Sequence, residues 1–278
     1  LHKWVLSFDL NSLYPHLIMQ YNISPETLLK NKKVDGVDVD KFLEKKFDTS
    51  FLNNQTITPN GAVYRTDVKG FLPELMEKIY NDRVIYKKKA LDAQRQYEKT
   101  KDKKFLTLNS RYNTKQMAQK ISLNSAYGAI GNEWFRYYDI LNAEAITTSG
   151  QLAIRWIENK LNGYMNGLLK TQTDYVVASD TDSIYLNLGG LVNSVYEETP
   201  ETSEVIGFMD KVCDGKIQPF IDKSYKDLAD YIHAYDQKMV MKREVLADKG
   251  LWTAKKRYVL NVHDSEGVRY STPKLKIM

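Results

Sequence analysis

The sequence predicts an α+β fold: an antiparallel sheet with helices on one face, and a long helical hairpin set into it. Three observations predict this. Two long helical patterns are separated only by the charged turn Thr100-Lys101-Asp102-Lys103-Lys104, so the helices fold back on each other. Two short β-type runs flank the acidic pentapeptide Ser179-Asp180-Thr181-Asp182-Ser183. The last forty residues return to β-type sequence after a helical stretch.

Taken in order, Trp4-Val5-Leu6-Ser7-Phe8 reads as a strand leading into Asp9. Asn11 and Ser12 are candidate caps, and Pro15 suits the first turn of a helix reaching Tyr21. Residues 24–62 are polar and rich in Asn and Asp, which predicts loop with short elements. Gly70 and Pro73 open a helix whose apolar Leu72, Leu75, Met76, Ile79 and Tyr80 recur at helical spacing, running to about Lys99. The second helix of the hairpin spans about Phe105 to Tyr127 and ends at Gly128. Thr147 to Leu169 is a further amphipathic helix. Tyr175–Ala178 and Ile184–Leu188 are strands, residues 204–233 are mostly helical, and Met239–Val245, Leu251–His263 and a run near Arg269 are β. There is no internal repeat and no low-complexity segment.

Composition narrows the class. The chain has 278 residues, 42% of them apolar, and 19 are Tyr, which describes an ordered globule rather than a disordered chain. A formal charge of +5 tilts only mildly toward an anionic partner. The lone Cys213 excludes an intramolecular disulfide and a cysteine metal cluster, which fits a reducing cytoplasm. No apolar run approaches the ~18–20 residues of a membrane span, and no signal peptide is present. Both ends look cut from something longer.

Asp180 and Asp182, two residues apart at a strand–turn–strand junction, can aim both carboxylates at one place. Two such charges repel unless a cation sits between them, and hard oxygen ligands on a tight turn suit Mg²⁺. A hairpin turn that uses Asp only for its geometry is the plain alternative. Asp9 adds a third carboxylate at a strand end, where the following backbone N–H groups can cradle phosphate; an Asp before a helix is otherwise a cap. Arg83 and Lys87 share one face of the first long helix, and Lys120, Asn124 and Tyr127 share one face of the second. Together they would line a triphosphate, though a solvated basic surface has the same pattern. Lys255-Lys256-Arg257-Tyr258 reads as a strand, with Lys256 and Tyr258 on one face and Lys255 and Arg257 on the other. Its natural partner is a phosphate backbone, and a charged protective edge strand is the alternative.

Together these segments resemble the family B (α-like) DNA polymerases, in the manner of the replicative enzymes of T-even-type tailed phages. Asp9-Leu10-Asn11-Ser12-Leu13-Tyr14-Pro15 is similar to motif A, Lys120 with Asn124-Ser125-Ala126-Tyr127-Gly128 to motif B, and Asp180-Thr181-Asp182-Ser183 to motif C. Lys255 to Tyr258 resembles the family's KKRY motif, while Asn22-Ile23-Ser24-Pro25-Glu26-Thr27 and Phe135-Arg136-Tyr137-Tyr138-Asp139 resemble flanking stretches. Asn11 and His16 stand where the phage pattern usually has Thr and Ser.

The resemblance implies a polymerase palm at residues 1–65 and 132–278, with an inserted antiparallel helical-hairpin fingers domain at 66–131. N-terminal, exonuclease and thumb domains are expected to be absent, so weak DNA binding, distributive synthesis at best and no excision of a mismatched 3′ end are expected. Two Mg²⁺ ions are implied, held by Asp9, Asp182 and the Leu10 carbonyl, with Asp180 tuning the metal geometry and Glu244 an additional acid. Ser12, Leu13 and Tyr14 would hold the incoming dNTP, with Tyr14 under the sugar. Arg83, Lys87, Lys120 and Asn124 would face the triphosphate. Lys256, with Lys255, Arg257 and Tyr258, would meet primer–template DNA near the active centre, and Asp264 would help organise it. The implied activity is template-directed DNA synthesis in the cytoplasm of a host cell, with dNTPs, primer–template DNA and either the missing domains or a processivity clamp as partners, and no membrane. Another palm enzyme, a reverse transcriptase or RNA polymerase, is disfavoured because Thr181 separates the acids. A non-catalytic nucleic-acid-binding remnant is the remaining alternative.

Overall fold

A computed structural model of the chain describes residues 1–196 and 200–278, apart from the side chain of Glu98. The chain divides into two compact units. One comprises residues 1–11, 150–231 and 239–278, and the other residues 12–149 and 232–238.

The first unit is built on a six-stranded antiparallel sheet. Its strands are β1 (His2–Leu10), β4 (Val176–Asp180), β5 (Ser183–Asn187), β6 (Met241–Ala254), β7 (Arg257–Ser265) and β8 (Val268–Ile277), in the spatial order β4-β5-β1-β6-β7-β8. β1 lies inside the sheet, so both of its edges are paired, and side chains on both of its faces are covered. Val5, Leu6, Phe8 and Leu10 are all buried. Its register puts Ser7 opposite Tyr185 and Asp9 opposite Ser183. Because side chains alternate across a strand, Val5, Ser7 and Asp9 share a face. On this side Val5, Tyr185, Val245, Ala247, Tyr258, Leu260 and Val262 form an apolar cluster, with Trp252 and Tyr270 packed at its margin.

Helices α6 (Gly189–Val195), α7 (Thr202–Val212) and α8 (Gln218–Tyr231) complete this unit, together with the C-terminal two thirds of α5 (Ile140–Leu169). A five-residue π-turn at Cys213–Ile217 links α7 to α8. Trp156 of α5 is fully buried, and its indole N–H donates to the Ser224 carbonyl at 2.8 Å. Two arginines tie β6 and β8 to α7 and β7. Arg243 and Arg269 each reach both Asp210, at 2.5 and 2.6 Å, and Asp264, at 3.3 Å from each.

The second unit is helical. It contains α1 (Leu13–Gln20), the short α2 (Val39–Leu43), a small hairpin of β2 (Gln55–Ile57) and β3 (Val63–Arg65), and the pair α3 (Phe71–Thr100) and α4 (Lys103–Ile130). Only Lys101 and Asp102 separate α3 from α4. Lys101 takes a left-handed φ of 56°, and the Asp102 carboxylate caps α4 by accepting the Lys104 N–H at 2.9 Å. The start of α3 is capped from a distance by the Asn22–Thr27 segment. Asn22 accepts the Gly70 N–H at 2.8 Å and donates to the carbonyls of Arg65 and Val68. Glu26 accepts the Phe71 N–H at 2.6 Å. Residue 70 must be glycine here, since a Cβ would lie 2.6 Å from Ser24 Cβ.

Four sequence expectations need correction. Lys255 and Lys256 do not lie in a strand: they form the two-residue turn between β6 and β7, with Lys256 at a left-handed φ of 61°. Ser12 precedes α1 at φ 45° and makes no capping hydrogen bond. α5 begins at Ile140 rather than Thr147, with Asp139 accepting the Leu141 N–H at 3.0 Å. β8 is a ten-residue strand, longer than the short run expected near Arg269.

Candidate active site

In the sheet unit, the acids meet because of register. β4 and β5 form a tight hairpin in which Asp180 pairs with Ser183, leaving Thr181 and Asp182 as the turn. Thr181 takes a positive φ of 23°. Asp9 pairs with Ser183 on the other side, and the Leu10 N–H donates to the Asp182 carbonyl at 2.8 Å. The acidic turn is therefore bonded to the end of β1, and a one-residue slip would turn Asp9 to the opposite face.

Asp9, Asp180 and Asp182 line one cavity of about 250 Å³, together with Glu244, Lys255, Lys256, Tyr258 and Lys276. Burial pushes the Asp9 carboxyl up to about 7, and the charges of Asp182 and Glu244 push the same way, against a smaller pull from Lys276. A cavity that crowds carboxylates at this cost suits a divalent cation. Among the described residues no three His, Cys, Asp or Glu side chains are already drawn into a ligand cluster. Mg²⁺ takes one or two protein carboxylates when phosphates complete its shell, and this cavity offers Asp9 and Asp182 for that role. Asp9 and Asp182 fit such an ion.

Two cations balance the cavity. Lys256 reaches from the β6–β7 turn to Asp180 at 3.5 Å, and Lys276 of β8 pairs with Glu244 at 2.9 Å. Sequence reasoning missed Lys276. Its only signal is an alternating run, Lys274-Leu275-Lys276, that says nothing about which distant strand it faces. Of the other residues expected to meet DNA, Arg257 is exposed at the start of β7 and does not line the cavity. Tyr258 is 5% exposed, and its hydroxyl accepts a hydrogen bond from Tyr185 at 2.9 Å. Asp264 is buried and held by Arg243 and Arg269.

In the helical unit, Arg83 lies between α3 and α4. Its guanidinium donates to Ser12 Oγ at 2.8 Å and to Gln116 at 3.5 Å. The Tyr14 ring packs on Tyr127 of α4, with centroids 4.7 Å apart. Ser12, Tyr14, Arg83 and Tyr127 are thereby gathered at one end of the α3–α4 pair. Leu13 is buried, whereas Lys87, Lys120 and Asn124 are exposed. His16 is buried, donates its Nδ1–H to the Ser12 carbonyl at 2.9 Å, and packs edge-on against Tyr80. Burial drives its pKa down, so it contributes no charge at neutral pH.

The sheet unit thus carries a half-buried strand-end acid with a two-acid turn bonded to it, and the helical unit carries a basic hairpin. The profile of DNA polymerase family B matches residues 1–206, and the chain belongs to that family. Two similar proteins are DNA-directed DNA polymerases of phages. That of Escherichia phage RB69 is 36% identical over 330 aligned residues, taking in 100% of this chain and 36% of the relative. That of Enterobacteria phage T4 is 34% identical over 329, taking in 99% of this chain and 36% of the relative. A DNA polymerase beta of African swine fever virus is 26% identical over 224 residues, covering 77% of this chain and 18% of its own length. The chain thus spans little more than a third of the phage relatives. Among the described residues no helix is long and apolar enough to cross a membrane.

Proposed function

We propose that this chain is the part of a family B DNA polymerase that joins dNTPs to a primer 3′-OH on a DNA template. Residues 1–65 and 132–278 serve as palm and residues 66–131 as fingers. The observation that carries the reading is the shared cavity of Asp9 and Asp182, with the acidic turn hydrogen-bonded to the strand that bears Asp9.

Family B DNA polymerases generally use divalent metal ions. Asp9 and Asp182, with the Leu10 carbonyl, would hold two Mg²⁺, which when bound make the 3′-OH more acidic and neutralise phosphate charge. The chain's own residues do the rest. Asp180 stays paired to Lys256 and sets the shape of the turn. Lys120 and Asn124 hold the triphosphate through exposed donors, with Lys87 beside them. Arg83, anchored on Ser12, gives a fixed cation where charge grows on the departing pyrophosphate. Tyr14, backed by Tyr127, sits under the sugar, with Ser12 and Leu13 supplying backbone groups. Lys255, Lys256 and Arg257 meet the phosphates of primer–template DNA. Tyr258 acts from within the sheet by fixing that turn, and Asp264 acts by holding Arg243 and Arg269.

The test is Mg²⁺-dependent addition of one dNTP to a primer–template by the chain and by its Asp182→Asn variant. Addition that is lost in the variant, with circular dichroism unchanged, is the expected result. A variant as fast as the parent would sink the assignment. DNA binding without addition by either protein would favour a non-catalytic role.

A further inference from the structure

The α3–α4 hairpin carries a second cationic surface, on the flank away from Lys120 and Asn124. At about 100° per residue, Lys120, Asn124 and Tyr127 fall on one side of α4, and Lys104, Arg111 and Lys115 fall on the other. On α3 the same count puts Lys89 on this second flank. Ring contacts agree. Tyr86 of α3 and Tyr112 of α4 stack with centroids 6.4 Å apart. Lys89 Nζ lies 5.8 Å from the Tyr86 centroid and 5.9 Å from that of Tyr112, while Lys115 Nζ lies 5.0 Å from Tyr86.

Exposed lysines on a helix usually mean only solvation. Three features set these apart. First, Lys89 and Lys115 lie over a cross-helix pair of aromatic rings, contacts that favour these positions before any partner arrives. Second, Lys89, Arg111 and Lys115 are exposed and none makes an ion pair among the described residues. Nearby Arg95 and Lys104, by contrast, are paired with Asp92 and Asp102. Third, charge is concentrated here. Residues 71–130 hold thirteen Lys and Arg against six Asp and Glu, more than the excess of the whole chain at +5, so the remainder is slightly acidic. Asp82 is the acid on this flank, at its end nearest the start of α3.

We propose that this flank binds one strand of nucleic acid through its phosphates, with Lys89, Arg111 and Lys115 as the contacts and Tyr86 and Tyr112 as their support. A row of cations that tracks the backbone phosphates is one part of how single strands are held without regard to sequence, and here the rings serve the cations rather than the bases. The site lies apart from the residues assigned to the triphosphate and does not depend on their roles.

The test is the anisotropy of a labelled oligothymidylate titrated with the full chain over a series of salt concentrations. The variant Lys89→Met, Arg111→Gln, Lys115→Met keeps the stems over the rings and removes the charges. Each phosphate contact on a single strand contributes about 0.7 to the slope of log K against log salt, so this variant is expected to lose about 2 from it. Arg111→Gln alone, which touches neither ring, should lose about 0.7. Lys89→Arg with Lys115→Arg should keep the parent slope. An unchanged slope in both neutralised variants overturns the proposal. So does poly-L-glutamate binding as tightly as the oligonucleotide and with the same dependence on these residues, which would point to an acidic protein segment instead.

Discussion

The acids of the sheet and the cations of the hairpin are positioned by opposite means. Asp9 and Asp182 are set by strand register, and Asp9 is pressed by burial and like charge until its carboxyl reaches about 7. Lys120 and Asn124 stand on an exposed helix face, one turn apart, where neither burial nor a partner strand fixes them. The first region gains geometry at a cost in stability; the second can lose a side chain with little effect on the fold. Substitutions should therefore separate the two. Those in the sheet should move chemistry and pH-dependent stability together, and those on the exposed helix face should move substrate use alone.

The sharpest way to break that contrast is Lys120→Ala. Losing a charge-assisted contact of ~1.5–3 kcal/mol should lower kcat/KM for dNTP by roughly 10- to 150-fold. Melting temperature and DNA affinity should hardly change. Steady-state kinetics beside DNA titration checks this, and a loss of DNA binding would move Lys120 to the nucleic-acid path. Tyr14→Ala comes next. Removing the ring that would clash with a 2′-OH should raise ribonucleotide use by about 5- to 150-fold, for a clash of ~1–3 kcal/mol. Unchanged sugar selectivity in competition assays would put the gate elsewhere.

Much of this contrast was legible in the sequence, and unevenly so. The hairpin helices are long, the first is periodic, and their ends fall within a few residues of expectation. β4 and β5 were legible because apolar runs bracket an acidic turn. Lys255-Lys256 was not, since a two-residue hairpin loop is usually announced by Asn-Gly or Asp-Gly, and here a lysine takes the left-handed conformation. Tyr258 directly follows three cations, Lys255, Lys256 and Arg257, so its buried place under Tyr185 is hidden. Lys276 reaches the acid cavity only through the pairing of β8 with β7, a register that local sequence does not state. The Asn22–Thr27 segment is polar enough to read as loop, yet its side chains cap a helix almost fifty residues away.

That segment supplies an effect of middle size. Asn22→Ala leaves the Gly70 N–H and two carbonyls without their side-chain partner, and should cost about 1–3 kcal/mol, read as a lower melting temperature. No change would mean that Glu26 and packing hold the start of α3 without Asn22. The smallest expected effect is on the shape of a pH curve. The folded pKa of Asp9, about 7, lies above its ordinary 3.8. Its contribution to stability is therefore full below about pH 3.8 and is lost as the pH rises through about 7. Asp9→Asn should flatten that decline in metal-free buffer, and equal slopes for the two proteins would deny that Asp9 is strained.

The central claim is that Asp9 and Asp182 hold divalent metal, and counting bound Mn²⁺ by electron paramagnetic resonance tests it most directly. With primer–template DNA and a non-hydrolysable dNTP analogue present, the parent chain should bind two ions, and the Asp9→Asn, Asp182→Asn double variant should bind none beyond those carried by the analogue alone. Two ions in the double variant, held as tightly as in the parent, would contradict the account.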